Sequence, residues 1–551
     1  MISLLISIGS IKMSQSSNFI DTEASDIQIG SSSEPQDSID DITEETNTNK
    51  HKENSNNNNS KEKSSVNNYR LGGRKPLATI LYLSSGPILA QFTGSLKGII
   101  GSIWVSKSIG EKGLATISTI GVFDGISRSF GFFLSSAASA KISQLYGKHQ
   151  EEEAAQLVVD LVRVAAIMGV VIPLILGLST IPLARWLGAD DEISQMSKEY
   201  MLPINVGTFT TCAFIALGGC LQGEGRSLFF SICNVISLVV NMCVLDPIFL
   251  LALKTGIWGA SLAQALSEAI PGIVIFTLYF MGKFGVKPKW KMFISKFSPH
   301  TFPSLKVGLS QLFANLSQIV PSIVVRKLMG MSFKENYNDA MAAFNTVVRF
   351  FVLTNSVIIA ITMGFIPSGS YAFAAKRYRR WFKLAFHSLW ISFIWGSFTA
   401  ILTWTIPRHL ARMFASGKGY LDVCEPMLKY SNALGFIICG RFCCVAYLQS
   451  FQLGIYSMIL SLISHFLSII GFAFLLYFTN KNDGVRIIWC YSMAHALGLV
   501  LGVCFLIWPI KKCYKLMKNE DADDTINNED FEEMYHSDSI EDDRSFTNKD
   551  D

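Results

Sequence analysis

The 551-residue chain lacks the short motifs by which several classes of protein are recognised. None of its 11 cysteines forms a CxxC pair, so we expect neither a zinc site nor a disulfide framework, but small buried side chains. Gly223-x-Gly225 lacks the Lys-Ser/Thr end of a phosphate-binding loop, which argues against ATP as an energy source. No basic run is long or interleaved with aromatic residues, so nucleic acid is not an expected partner.

Acidic residues are scarce in the middle of the chain. Residues 70–518 contain 18 of the 43 acids but 40 of the 47 basic residues, and the other acids lie in two polar tails. Such tails cannot bury enough apolar surface to fold, so we predict disordered segments at 1–69 and 511–551. Half of all residues are hydrophobic and the mean hydropathy is +0.33, which together favour a membrane protein.

Twelve apolar runs lie between the tails, and a helix needs about 20 such residues to cross a bilayer. The sequence therefore predicts an all-α membrane protein with twelve transmembrane helices. The longest connection divides them into an N-lobe at 70–281, a linker at 282–302 and a C-lobe at 303–510. The runs are 77–105, 114–139, 154–182, 200–221, 228–253, 258–281, 303–329, 340–369, 381–407, 424–448, 454–478 and 486–510.

The second half of the chain repeats the first. The stretch IWGASLAQAL at 257–266 reappears about 230 residues later as IWCYSMAHAL at 488–497. Leu221-Gln222 likewise recurs as Leu448-Gln449. A repeat that includes both helices and turns indicates a duplicated unit, and in membrane transporters such a repeat places the substrate path between the halves.

Lysine and arginine are unevenly shared between the two sets of loops. The set on the side of both termini contains 20 of them and the opposite set contains 11. The positive-inside rule therefore places both termini in the cytoplasm. Because each half has an even number of helices, the halves point the same way and are related by a pseudo-twofold axis along the membrane normal.

Five short motifs follow one another in the first half. They are GEKGLA at 110–115, YGK at 146–148 with EEEAA at 151–155, LQGEGR at 221–226, Asn241 with LDP at 245–247, and GIWGASLA at 256–263. In order, spacing and repetition, the chain from about 70 to 510 resembles the multidrug and toxin extrusion (MATE) family. Three features depart from the family pattern. Gly101 replaces an aspartate of the first helix, the seventh-helix stretch 311–325 contains no acid, and Asn241 precedes Asp246 by five residues where four is usual.

The resemblance implies a secondary active antiporter that exports organic, drug-like cations in exchange for H⁺ or Na⁺ by alternating access. It implies no enzyme, no catalytic residue, no metal and no cofactor. We expect a monomer in the lipid bilayer of the plasma membrane or of a vacuolar or endosomal membrane, with a small organic molecule as its substrate. Two other functions stay open: a lipid-linked saccharide flippase of the same superfamily, and a transport-inactive, receptor-like paralogue.

The few acids within the spans are candidates for ion coupling, because a charge at the bilayer centre costs about 2.5–3.5 kcal/mol. Asp246 matches a cation ligand of the family, or it caps a helix end. Glu268 lies one turn after Gln264 on the same face, and we expect apolar surroundings that suit a proton carrier, or a structural hydrogen bond. We predict that Asp246 and Glu268 bind the coupling cation, with Gln264 and Asn241 as neutral ligands.

Further charged residues in the spans have two interpretations. Asp124 lies one turn before Arg128, so the two form either a self-neutralised pair or a reserve coupling site. Arg128, Arg349 and Arg441 are candidates for the substrate cleft, although structural ion pairs would also explain Arg349 and Arg441. Small residues at the turns, Gly147 and Gly223 in the first half, suggest close backbone approach as the lobes move.

The first prediction concerns topology. Epitope tags at either end of the chain should resist protease added to intact cells and be cut after the membrane is permeabilised, because both termini are expected in the cytoplasm. Cleavage of one tag alone in intact cells would mean an odd number of helices and contradict the arrangement of two lobes with six helices each.

Overall fold

The computed structural model describes residues 69–186, 190–333, 337–414, 417–481 and 483–523. These ranges are helical and contain no β-strand. The predicted disordered tails at 1–69 and 511–551 lie mostly outside them, and the part of the second tail that is described, up to Asp523, continues the last helix.

Within these ranges the chain forms twelve helical spans in the predicted order. They are α1 (Pro76–Ile109), α2 (Glu111–Gly147), α3 (Glu151–Trp186), α4 (Asp191–Gly223), α5 (Ser227–Val240 with the π-helical turns Asn241–Leu245 and Pro247–Ala252), α6 (Ile257–Phe280), α7 (Thr301–Ser332), α8 (Tyr337–Ala374), α9 (Tyr378–Thr405), α10 (Lys418–Ser431 and Gly435–Ser450), α11 (Gly454–Ser461, the π-helical turn Leu462–Leu467 and Ser468–Thr479) and α12 (Trp489–Asp523). The two parts of α10 meet at an angle of 47°.

Ten of the described helices are long and apolar enough to cross a membrane, and the bent pair in α10 makes an eleventh. In α3, for example, Val170, Leu174 and Leu178 form an exposed stripe at helical spacing, as a lipid-facing helix requires. The twelfth, α2, packs between α4 and α7. Because its neighbours cover it, α2 can carry serines and charged residues that a lipid-facing helix cannot.

The sequence repeat is also visible in the backbone. His149 and Lys376 end α2 and α8 with φ of 58° and 59°, and Gly225 and Gln452 end α4 and α10 with φ of 76° and 60°. In each of these four turns the N–H of the following residue donates to a carbonyl five residues back, as Gln150 does to Leu145. The duplicated unit therefore preserves the geometry of its turns even where a non-glycine residue must adopt a left-handed conformation.

Polar contacts attach the predicted linker to the N-lobe. Glu224, fully buried in the α4–α5 turn, accepts hydrogen bonds from the backbone N–H groups of Gly285 (3.0 Å) and Val286 (3.3 Å). Burial raises the pKa of Glu224. Asp160 of α3 accepts hydrogen bonds from the N–H of Ser298 and the hydroxyl of Thr301, both at 2.7 Å, so it also holds the first turn of α7.

The two lobes meet at the end where α1 begins and α12 ends, which we call the inner end. There the Gln452 amide donates to the carbonyl of Ala140 (2.9 Å), and Arg380 donates to the carbonyl of Leu71 (3.3 Å). Towards the outer end, a Cβ atom at Gly98 of α1 would meet no atom within 4 Å. The lobes therefore touch at the inner end, while the face of α1 that carries Gly98 is open towards the outer end.

The two glycines singled out from the sequence lie in different surroundings. A Cβ atom at Gly147 would stand 2.8 Å from the carbonyl oxygen of Tyr371 and 2.9 Å from the Cβ of Ala374, both in the other lobe. At Gly223 it would instead meet Ile142 and the backbone of α2, within the same lobe. Only Gly147 is therefore placed to control the approach of one lobe to the other.

We predict that Gly147→Trp reaches the membrane but transports poorly, because an indole at this contact keeps the inner ends of the lobes apart. Export by cells, normalised to the amount of protein in the membrane, measures the effect. Gly471→Trp is the matched control, since a Cβ atom there would meet nothing within 4 Å. Normal export by Gly147→Trp would show that the inner contact does not need to close.

Candidate ion-binding site in the N-lobe

The polar residues of the N-lobe spans meet where α1, α2, α4 and α6 converge around Glu268. One oxygen of this carboxylate accepts hydrogen bonds from Lys97 of α1 (2.9 Å) and Arg128 of α2 (2.5 Å). The other oxygen accepts one from the Thr211 hydroxyl of α4 (3.0 Å). The apolar surroundings expected for Glu268 are therefore wrong, because two cations that are distant in sequence lie against it.

Arg128 connects Glu268 to Asp124. Its Nε donates to Asp124 at 3.1 Å, while its other end contacts Glu268. Gln264 of α6 also donates to Asp124, at 3.3 Å, so the Gln264 and Glu268 side chains contact neighbouring parts of one network. Asp124 and Arg128 therefore form an ion pair with each other, and each also forms a hydrogen bond with a residue of α6.

The network is balanced in charge. It contains two cations, Lys97 and Arg128, and two carboxylates, Asp124 and Glu268. A buried charge is tolerated when it is paired and its remaining hydrogen-bonding positions are filled, and the contacts of Glu268 meet both conditions. We call these four residues the neutral network.

Sequence reasoning missed the place of Lys97 in this network. Its ammonium group also donates to the hydroxyls of Ser267 (2.8 Å) and Ser237 (3.4 Å), so it joins α1 to α5 and α6. A single lysine within an apolar run was a signal in the sequence, because such a charge needs a partner. Gly101, at the position of the absent aspartate, lies one turn further along α1 in open space.

Asp246 and Asn241 form a separate pair in α5. Both side chains are almost fully buried, and the Asn241 amide donates to Asp246 at 2.9 Å. The intervening turn is π-helical, so the N–H of Asp246 donates to the carbonyl of Asn241, five residues back. A π-helical turn contains about one residue more than an α-helical turn. Two side chains five residues apart therefore lie on the same face of the helix here. Such turns are frequent at functional sites.

Asp246 differs from the other acids of the lobe in its partners. Among the residues that the structure describes, no cation forms an ion pair with it, and Asn241 is its one side-chain hydrogen-bond donor. Lys97 lies within electrostatic range of Asp246 but donates to Glu268. Among the described residues of the lobe, Asp246 is therefore the one buried carboxylate without an ion pair.

The two arginines predicted for the cleft in the C-lobe do not join this cluster. Arg349 is exposed on α8, with its guanidinium 5.6 Å from the centre of the Phe414 ring. Arg441 is buried within the C-lobe, where it donates to the carbonyl of Ser464 at 3.3 Å. Of the three arginines, only Arg128 lies beside the candidate coupling residues.

Comparisons with known proteins agree with this architecture. The model of the MatE family matches residues 87–247 and 307–475, one match in each half. "Probable multidrug resistance protein YoeA" of Bacillus subtilis (strain 168) is 20% identical over 443 residues, which cover 78% of this chain and 94% of that protein. "Multidrug export protein MepA" of Staphylococcus haemolyticus (strain JCSC1435) is 22% identical over 313 residues, 54% of this chain and 65% of that protein.

A solved structure is also similar over most of the chain. It is that of a MOP superfamily transporter from Pyrococcus furiosus Vc1 (DSM3638), with a TM-score of 0.72 and 21% identity, and the match covers 82% of this chain and 98% of the other. This likeness shows the fold, with twelve spans in two six-helix lobes. Because the family model matches both halves and more than half of all residues, the chain is a transporter of the multidrug and toxin extrusion (MatE) family.

Proposed function

We propose that this transporter is an antiporter that exports organic, drug-like cations in exchange for H⁺ or Na⁺, and that Asp246 binds the coupling cation. The names of the two relatives, a multidrug resistance protein and a multidrug export protein, support the substrate class. The observation that carries the assignment of the site is the buried Asp246 carboxylate without an ion-pair partner among the described residues.

A buried, unpaired carboxylate is costly, and a proton or a bound cation removes that cost. In the neutral network each carboxylate already has a cation, so a further cation gains little there. At Asp246 a proton or Na⁺ would neutralise a buried charge that has no ion-pair partner among the described residues. Asn241 is suited to contact both the charged and the neutralised carboxylate of Asp246, because its side chain has both a donor and an acceptor.

Lys97 couples cation binding at Asp246 to the position of α1. Its ammonium group is attracted by Asp246 as well as by Glu268, so neutralising Asp246 changes the balance of forces on α1. Helix α1 packs against α8 of the other lobe. A coupling ion can shift the equilibrium between two lobe arrangements only if it binds them with different affinities, and a shift of α1 provides such a difference.

We predict that Asp246→Asn abolishes coupling but leaves the fold intact, because the amide keeps the shape and one acceptor for Asn241. In proteoliposomes, substrate movement driven by an imposed pH or Na⁺ gradient should fall at least about tenfold, the effect of losing 1.4 kcal/mol of coupling energy. Varying the two gradients separately identifies the ion. Cys243→Ser, an exposed position on the same π-helical turn, is the control.

Two results would contradict this assignment. Gradient-driven transport by Asp246→Asn equal to that of the unaltered protein would place the coupling site elsewhere. Absence of transport by the unaltered protein under either gradient would reject the antiporter itself and favour a transport-inactive protein.

We predict a different outcome for Glu268→Gln, because Glu268 belongs to the neutral network. Removing one partner of a buried ion pair costs about 3–5 kcal/mol, so the variant should lose thermal stability and yield. Adding Lys97→Met removes the unpaired cation and should restore much of the stability, since Arg128 still has Asp124. The unfolding temperatures of the single and double variants measure this coupling.

If Glu268→Gln is as stable as the unaltered protein but loses ion-driven transport, Glu268 binds the coupling ion. In that case the neutral network is part of the coupling site, and the division between Glu268 and Asp246 is wrong.

A further inference from the structure

Arg441 is a second isolated charge, in the interior of the C-lobe. Its side chain is among the largest fully buried ones, with 2% of its surface exposed. It extends from α10 towards α11 and α12, where its guanidinium donates to the carbonyl of Ser464. On α12, Gly498 makes room for it, because a Cβ atom there would stand 2.7 Å from the Cδ of Arg441. The packing of three helices therefore places this cation in the lobe interior.

No described acid of the C-lobe is in position to neutralise this charge. Its described acids, Asp339, Asp422, Glu425 and Asp483, lie near the outer ends of the helices. Among the described residues, no carboxylate forms an ion pair with Arg441. One carbonyl oxygen satisfies a single N–H of the guanidinium, and the centre of the Phe442 ring lies 4.8 Å from the guanidinium carbon, but neither carries a full negative charge. An unpaired buried cation of this kind is as costly as an unpaired carboxylate.

Two buried hydrogen-bond donors, one on α10 and one on α11, have no acceptor among the described residues. The Nε of Arg441 is buried and has no acceptor among the described residues. On α11, the hydroxyl of Ser461 is fully buried and also has no partner there. Ser461 lies three residues before Ser464, whose main-chain carbonyl accepts from Arg441, so its hydroxyl is within about one helical turn of that contact along α11. A cation and two unused donors together suit an anion.

We propose that Arg441, with the hydroxyl of Ser461, binds a small anionic group inside the C-lobe. The group has a single negative charge and accepts hydrogen bonds. It is either a free anion such as chloride or the carboxylate of an amphoteric substrate. The site is separate from Asp246 and does not depend on the coupling mechanism proposed for the N-lobe.

Thermal unfolding of the purified transporter in detergent tests the proposal without a transport assay. In the first arm, sodium gluconate is replaced by sodium chloride at constant ionic strength. In the second arm, a rhodamine carboxylic acid is compared with its methyl ester, which lacks the anionic group. We expect chloride, or the acid but not the ester, to raise the unfolding temperature saturably by about 2–4 °C. The arm that responds identifies the source of the anion.

Three variants show whether Arg441 is responsible. Arg441→Gln should abolish the response, and Ser461→Ala should weaken the affinity for the anion about fivefold, the loss of one hydrogen bond. Arg326→Gln removes an exposed arginine of the same lobe and should leave the response unchanged. If Arg441→Gln does not fold, the shifts in unfolding temperature of Ser461→Ala and of the unaltered protein test the proposal.

Two outcomes would overturn the proposal. One is the absence of stabilisation of the unaltered protein by either anion. The other is a response that remains unchanged in Arg441→Gln or, where that variant does not fold, in Ser461→Ala.

Discussion

The N-lobe depends on the contact of one carboxylate, Glu268, with two cations from other helices. Lys97 and Arg128 approach the same oxygen, and Thr211 fills the other, so that α1, α2, α4 and α6 are tied together at one point within the membrane. Without these partners, none of the charges could remain in the spans at an acceptable cost. On our proposal, the arrangement also leaves Asp246 as the carboxylate on which an added cation has the largest effect.

Much of the fold could be predicted from the sequence, because apolar runs and turns are local features. The order of the twelve spans is confirmed, and the duplication inferred from the repeat is also visible in the turns after α2 and α8 and after α4 and α10, which have equal geometry. The partners of Glu268 could not be predicted. Lys97 and Arg128 are far from it in sequence, and apolar runs give no measure of how each helix is rotated about its axis. The apolar environment expected for Glu268 was wrong for this reason.

The spacing of Asn241 and Asp246 shows a second limit of sequence reasoning. A separation of five residues places two side chains on different faces of an α-helix, so the pattern departed from the family without a visible cause. The π-helical turn removes the discrepancy, because it accommodates the extra residue and brings the amide to 2.9 Å from the carboxylate. The unusual spacing was visible in the sequence, but the backbone geometry was needed to interpret it.

The two lobes share a backbone plan but differ in the charge that they leave unpaired. Both have π-helical turns in their fifth helix, α5 and α11. Beside this feature the N-lobe has the carboxylate of Asp246, and the C-lobe has the guanidinium of Arg441. Duplication therefore preserved the irregular helix, which can bring polar groups together inside a membrane, while the charge beside it diverged. On our two proposals, this divergence lets one fold bind a cation in one half and an anion in the other.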